Sequence, residues 1–462
     1  MAGMEDLDYR DVNNAKSSAL PATTFAAALL VYLTLLVPWG ESLKARSYET
    51  PAKAVEWLPP AARPAHYRWS FDADRDASNT GLTHAQCTLA FPDLYPEIDR
   101  AVDYWQSRQH TITPDDIEIS WRKDGAVRLL IHENKLRVIE SRVFESDNTY
   151  GGYSQRTEAT LNQIRRALAG ARAAGEEIPT IEFAITVEDF NRIPTNESDT
   201  HTIWHFARRL IDRDEDRVWV MPDFNFWAAP AAEGVVDFEE TRKLAQQRDS
   251  PLADKIPQIV WRGATWTNKA RRGSLIHATK DKSWADVMEI NWKNKKNMIT
   301  TEDTCDYMFL AHTEGQTWSG RLKYLLNCNS LAVVHSLEWH THYYHLLIPD
   351  GPEQNYISAS QDFSNLEQKI EWLLEHPDHA QRVANNSVNQ FRRRYTTLAA
   401  ENCYWRRLFH GWASVAFKPD AYETTRGGER VLRGVAVEDF LQAGSHKTDL
   451  ARAAAKEGPP EG

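Results

Sequence analysis

The chain has 462 residues, 42% of them hydrophobic, and a formal net charge of −11. That length accommodates two domains with appendages, and that hydrophobic content a sizeable core. The acidic balance excludes an electrostatic nucleic-acid binder, so no nucleic-acid partner is expected. The basic runs Arg271-Arg272 and Arg392-Arg393-Arg394 read by default as solvated faces, and the 17 tryptophans suit stacking platforms for bases or sugars as well as an ordinary core.

Residues 1–18 carry Glu5, Asp6, Asp8 and Asp11 against Arg10 and Lys16. Residues 19–40 contain an uncharged apolar run, 20–39, long enough to cross a bilayer as a helix. A cleaved leader needs a short basic start and a small-residue cleavage site. Here the start is acidic and Val37-Pro38-Trp39-Gly40 fits no such site, so an uncleaved transmembrane anchor is expected behind a short tail. Basic residues on both flanks leave its orientation open. Residues 41–83, rich in Pro, Ala and charge, read as a stem.

Globular patterning begins near His84. Residues 127–131 and 136–139 read as strands joined by a short polar turn, 158–173 as a helix, and 181–187 and 217–221 as strands. Residues 235–256 are polar and read as a helix bridging two halves. A second series then opens with a strand at 258–262. Residues 307–312 form an apolar run and Thr313-Glu314-Gly315-Gln316 a polar loop. Trp318, Leu322, Leu325 and Leu326 recur at helical spacing, and 331–334 is a further strand. Thr317 is the expected cap of that helix, with Arg321 in its first turns. A helix start after a glycine loop offers N–H groups to an anion, and an arginine adds charge-assisted bonds to phosphate. This points to a nucleotide diphosphate, or else to a plain β-α-β packing unit. Residues 365–375 and 379–394 read as helices. The tail 418–462 has weak patterning, with disorder expected from 446. Strands alternating with helices in two halves imply an α/β fold of two doubly wound domains facing a cleft, 84–250 and 251–417.

Several stretches, in this order, carry a resemblance: Thr186-Val187-Glu188-Asp189-Phe190, Met221-Pro222-Asp223-Phe224, Trp261-Arg262-Gly263 with Arg271-Arg272, Asp303-Thr304-Cys305, Arg321-Leu322-Lys323-Tyr324-Leu325, Cys328, Ser330-Leu331, Glu338-Trp339, Trp372 and Cys403-Tyr404-Trp405. Together they span roughly residues 180–405 and resemble glycosyltransferase family 90, which contains the Rumi-type protein O-glucosyltransferases and the capsule-associated xylosyltransferases. The resemblance implies two Rossmann-like domains of the glycosyltransferase B type. It implies an inverting transfer of xylose or glucose from a UDP-sugar to a hydroxyl of a glycan or protein acceptor. The UDP-sugar is then a co-substrate, with no cofactor and no metal. The alternative is a catalytically inactive sugar- or nucleotide-binding homologue of the secretory pathway.

Such a transfer needs a base for the acceptor proton and stabilisation of the leaving diphosphate. Asp189, just past the 181–187 strand, stands at a carboxyl end where ligands bind in open α/β sheets, and by resemblance it matches the catalytic aspartate. The plain reading is a turn cap. Glu188 is a rival that strand alternation points the other way. Arg321 is the first choice for the diphosphate, with Arg271 or Arg272 as the second cation. Gly263, Ala264, Thr265 and Thr267, with Thr317, Ser319 and Glu338, complete the expected nucleotide-sugar set. Phe224, Phe226 and Trp227 are the expected walls for sugar or acceptor, or equally core.

Two features look like metal sites. Glu302-Asp303 with Asp306 precede a strand rather than follow one. His340, His342 and His345 read as a surface helix, because 340 and 342 point apart on it. Four cysteines, Cys87, Cys305, Cys328 and Cys403, are an even count that fits disulfides in an oxidising compartment and allows three pairings. The resemblance implies Cys305 with Cys328 and Cys87 with Cys403, and a lumenal domain on a single-pass type II anchor. Asn196 and Asn385 lie in glycosylation sequons. The missing retention tetrapeptide leans the expected membrane towards the Golgi within the secretory pathway.

Overall fold

The first sheet grows from a tight hairpin. β1 (Ala126–His132) and β2 (Lys135–Ser141) pair antiparallel. Their two-residue turn, Glu133-Asn134, has φ of 50° and 54°. Positive φ at both positions is what a hairpin turn matched to strand twist requires. β3 (Ile181–Thr186) lies antiparallel on the other side of β1 and is buried along its whole length. β4 (Trp204–His205) and β6 (Trp219–Val220) continue parallel from β3, while β5 (Arg208–Arg209) leaves the sheet. The helix Tyr153–Ala173 covers this sheet with a face that includes Leu161, Ile164, Leu168 and Ala171, the three-to-four spacing of an amphipathic helix. These coordinates are a computed structural model that describes residues 69–122, 124–143, 152–194, 198–228 and 237–443. All of them belong to one compact unit.

The second sheet is wholly parallel. β7 (Ile256–Gly263), β8 (Ala285–Glu289), β9 (Tyr307–His312), β10 (Leu331–His335) and β12 (Ile357–Ala359) run in the order β12-β10-β9-β7-β8. β10 is buried at every position, as a parallel strand covered on both faces must be. β11 (Trp339–His340) crosses out of this half to pair with β5. Helices Lys269–Thr279, Leu366–Glu375 and Pro377–Ser387 contribute to this layer. The expected boundary near residue 250 is a rivet rather than a linker. Asp249 accepts from Lys255 Nζ at 2.7 Å, Arg392 Nη1 at 2.6 Å and the Asn329 backbone N–H at 2.9 Å.

The chain then returns to the first sheet, which corrects two expectations. The helix Leu398–Ala413 belongs to the first sheet's core, not to the second half. Trp204 stacks on Phe183 at 4.0 Å, and Trp412 meets Trp204 at 5.5 Å and Trp219 at 5.1 Å. These tryptophans are core, not platforms. The tail past 418 is patterned after all. β13 (Tyr422–Thr424) and β14 (Arg430–Leu432) form a hairpin, and β15 (Val435–Ala436) adds to the edge of β2. The full order of the first sheet is β15-β2-β1-β3-β4-β6. Arg433 holds this return by pairing with buried Glu182 of β3 at 2.8 Å.

Both expected disulfides form. Cys87–Cys403 ties the helix His84–Ala90 to Leu398–Ala413, and Cys305–Cys328 ties the turn before β9 to the segment before β10. The stem also ends earlier than residue 83, since Leu82 is buried and Phe71 packs edge-on against Phe91. The expected anchor at 20–39, the tail 1–18, Asn196 and the region from 446 lie outside the described residues. Among the described residues, no helix is long and apolar enough to cross a membrane.

Candidate active site

The two carboxylates past β3, Glu188 and Asp189, lie in a bend and take different surroundings. Glu188 is buried, held by Arg122 at 2.6 Å and Arg192 at 2.7 Å. Its role is structural. Asp189 stays 40% exposed and accepts from Arg156 Nη1 at 2.8 Å. Arg156 comes from the helix Tyr153–Ala173, and its guanidinium lies 5.0 Å over the Phe224 ring. Buried His205 of β4 donates from Nε2 to the Glu188 carbonyl, 3.0 Å away, and underlies the same turn.

The segments that follow β7 and β9 carry a cluster of positive charge. Trp261 is buried, with the Arg321 guanidinium 5.5 Å and the Arg272 guanidinium 5.8 Å from its ring centroid. A Cβ at Gly263 would stand 2.6 Å from the Trp261 ring, so glycine there is what lets the indole fold back beneath the two arginines. Burial, with Arg272 beside it, pushes Arg321 down to about 9, and burial pushes Arg272 down to about 10. Arg272 donates only to carbonyls, Ala264 O at 2.7 Å and Glu314 O at 3.2 Å. Among the described residues no carboxylate pairs with either arginine. Two neighbouring guanidinium groups without a carboxylate partner can bind an anion chemically, and their planar forks match the geometry of phosphate oxygens.

Arg271 takes a different direction. It pairs with Glu338, which also accepts from Gln361 Nε2 at 2.9 Å. Of the two adjacent arginines, Arg272 therefore faces Arg321, and Arg271 with Glu338 forms the rim. The Glu338-Trp339 turn is pinned by Glu314, whose Oε1 accepts both backbone N–H groups at 3.0 and 2.8 Å. Burial pushes the Glu314 carboxyl up to about 7. The two walls meet at aromatic contacts. Phe190, next to Asp189, lies 6.1 Å from Trp339, and Phe206 bridges Phe224 at 5.5 Å to Trp318 at 5.2 Å.

Other expected positions fall differently. The helix begins at Leu322 and ends at Leu325, with Arg321 as its cap residue. Thr317 is thus a buried loop residue and caps nothing, and the anion site rests on guanidinium groups rather than on a helix start. Thr265 turns its hydroxyl to Glu289 at 2.6 Å, and Thr267 donates to Ala264 O at 3.1 Å, so neither hydroxyl is free for phosphate as it stands. The Ser319 carbonyl accepts from the Tyr344 hydroxyl at 3.3 Å. Phe226 is core, packed on Phe238 at 5.0 Å and His342 at 5.2 Å. Trp227 lies under Arg166, away from Asp189. Only Phe224 of the three aromatics reaches the cleft.

The histidines do not form a surface helix. His340 lies in β11, His342 is buried against Tyr404 at 4.7 Å, and His345 bonds the Asp93 carbonyl at 2.7 Å. Asp303 and Asp306 are both taken by Arg248, at 3.0 and 2.7 Å. Asn385 is exposed on the helix Pro377–Ser387.

Sequence reading missed Arg156, Glu314 and Lys323 as site residues. Lys323 fixes the two walls to each other. Its buried ammonium meets buried Asp223 at 2.7 and 2.9 Å, and Tyr324 Oη donates to the Asn225 carbonyl at 3.1 Å. Removing one partner of such a pair costs about 3–5 kcal/mol, because the survivor is left charged in the core. Lys323 stood in a quoted motif, but nothing local in the sequence paired it with Asp223, one hundred residues away.

Comparison with known proteins places the chain in a family. The model of Glycosyl transferase family 90 matches residues 85–427. Protein O-glucosyltransferase 1 of Homo sapiens is 22% identical over 303 residues, covering 60% of this chain and 74% of that protein. O-glucosyltransferase rumi of Drosophila melanogaster is 25% identical over 301 residues, covering 58% and 71%. O-glucosyltransferase LpsA of Dichelobacter nodosus is 24% identical over 156 residues, covering 32% and 48%.

Proposed function

The chain belongs to glycosyl transferase family 90 and is a glycosyltransferase; from that premise we propose that it moves a sugar from a UDP-sugar to a hydroxyl of a protein or glycan acceptor, with inversion at C1. The observation that carries this reading is the pair Arg321 and Arg272 on Trp261, a half-buried and a buried cation with no carboxylate partner among the described residues. A diphosphate supplies the missing charge. Asp189 then acts as general base. Its carboxylate takes the acceptor's hydroxyl proton as that oxygen bonds to C1. The C1–O bond to the β-phosphate breaks, and its electron pair leaves with UDP towards Arg321 and Arg272. Arg271 and Glu338 form the rim on the sugar side.

The names of the relatives favour glucose over xylose as donor and a protein over a glycan as acceptor. The reading needs no metal, in keeping with the occupation of Asp303 and Asp306 by Arg248. The two sheets are read as the Rossmann-like halves of a glycosyltransferase B arrangement, the first modified by its antiparallel hairpin. Two disulfides fit an oxidising lumen. A type II anchor at 20–39 would place the enzyme there, in a Golgi or other secretory membrane. An endoglycosidase-sensitive band that is lost in Asn385→Gln, once Asn196 is also replaced, checks that placement.

The functional test is UDP release from a panel of UDP-sugars by the purified domain, with and without chelator. UDP-glucose or UDP-xylose should be turned over, and chelator should leave the rate unchanged. No release from any UDP-sugar would end the reading, and release abolished by chelator would end its metal-free form.

A further inference from the structure

Asp189 has two carboxylate oxygens and the described residues engage one. Oδ1 accepts from Arg156 Nη1 at 2.8 Å, and the same Nη1 lies 3.1 Å from the Val187 carbonyl. The guanidinium is further confined between rings, 5.0 Å from the centroid of Phe224 and 6.0 Å from that of Tyr153. Phe224 in turn opens a one-turn helix whose cap is Asp223, the residue bound to Lys323. Lys323 sits two residues past Arg321. A continuous set of contacts therefore runs from Arg321 through Lys323, Asp223, Phe224 and Arg156 to Asp189.

We propose that Arg156 is a positioning residue for transfer: it fixes Asp189 by Oδ1 and leaves Oδ2 as the seat for the acceptor's proton. This rests on Asp189 being the base. A carboxylate on a loop past a strand end would otherwise turn freely, and a misplacement of about 1 Å costs roughly 100-fold in rate. Arg156 also sets the charge around the base. The other groups facing Asp189 are Tyr153 from the same helix and His205 from β4. Glu188, its chain neighbour, is neutralised by Arg122 and Arg192.

An ordinary staple between helix and strand would show the same contacts, and kinetics separates the two roles. Asp189 is 40% exposed, and an ion pair so placed contributes at most about 1 kcal/mol to folding. Arg156→Met and Arg156→Lys are measured alone and in the Asp189→Asn background, by single-turnover transfer and by UDP titration. Arg156→Met should lower kcat by roughly 10- to 100-fold with UDP affinity within about twofold. Arg156→Lys should restore only part of kcat, because an ammonium keeps the charge and lacks the planar fork. In Asp189→Asn, the residual rate should not fall further when Arg156 is changed.

Wild-type kcat in Arg156→Met would overturn the proposal, and so would losses that add fully to those of Asp189→Asn, or a lost UDP affinity with a lowered Tm. Full turnover by Asp189→Asn would instead remove the base reading itself. An inactive Asp189→Asn beside a fully active Arg156→Met would remove the positioning role alone.

Discussion

Asp189→Asn should reduce transfer by about 10²- to 10⁴-fold, the usual worth of a general base, while UDP binds as before. The amide matches the carboxylate in size, and its oxygen can still accept from Arg156, so the turn past β3 keeps its shape. What it lacks is the capacity to hold the acceptor's proton when the new bond to C1 forms. The nucleotide contacts are unaffected, because Arg321 and Arg272 stand on the other wall, at Trp261. The two readouts should therefore part. Calorimetric UDP affinity should stay within about twofold while single-turnover transfer collapses. Wild-type turnover in the variant would exclude Asp189 as the base. A parallel loss of UDP affinity would mean that the substitution had deformed the site.

Elements whose burial is local were legible in the sequence. The hairpin β1–β2, the helix Tyr153–Ala173 and the strands β3, β7, β9 and β10 each follow from alternation or three-to-four spacing within a single segment. The segment around Arg321 was misread for a physical reason. Trp318, Leu322, Leu325 and Leu326 are all buried, but they are buried between two walls rather than along one helix face. At Gly320 the chain passes so close to Asn225 that a Cβ would stand 2.2 Å from its Nδ2. Loop residues pressed from both sides imitate an amphipathic period, and the actual helix is a single turn. The histidines misled in the same way. Their spacing suggested a surface helix, whereas β11 runs out to β5 and buries His342 behind it. Of the candidate site, Asp189 and Arg321 were nominated by motif and strand-end logic. Choosing Arg272 over Arg271 needed the fold, because only the turn of the helix Lys269–Thr279 decides which guanidinium meets Trp261. Arg156 gave no signal. It is one arginine in an unremarkable helix, and its meaning comes from Val187, Asp189 and Phe224, which lie more than thirty residues away along the chain.

Arg321→Ala should weaken UDP binding and transfer together, since the diphosphate is charged in the bound complex and in the transition state alike. A charge-assisted bond contributes roughly 1.5–3 kcal/mol, so UDP affinity should fall by about 10- to 150-fold, and kcat/KM by at least as much. A second consequence separates an anion site from a structural arginine. Arg321 lies half-buried beside Arg272 with no carboxylate partner among the described residues, and burial with that neighbouring charge pushes it down to about 9. That arrangement is a cost to the fold, and bound UDP relieves it. Arg321→Ala should therefore leave the Tm of the empty domain unchanged or raise it, and should cut the Tm rise that saturating UDP gives the wild type. Arg321→Lys should recover part of the affinity, because it returns the charge without the fork. Arg272→Met makes the contrasting control. Arg272 also ties the Ala264 and Glu314 carbonyls, so its loss should lower the Tm of the empty domain as well as UDP affinity. Unchanged UDP affinity in Arg321→Ala would show that the diphosphate lies elsewhere. A marked fall in the empty domain's Tm would show that Arg321 supports the fold instead of waiting for an anion.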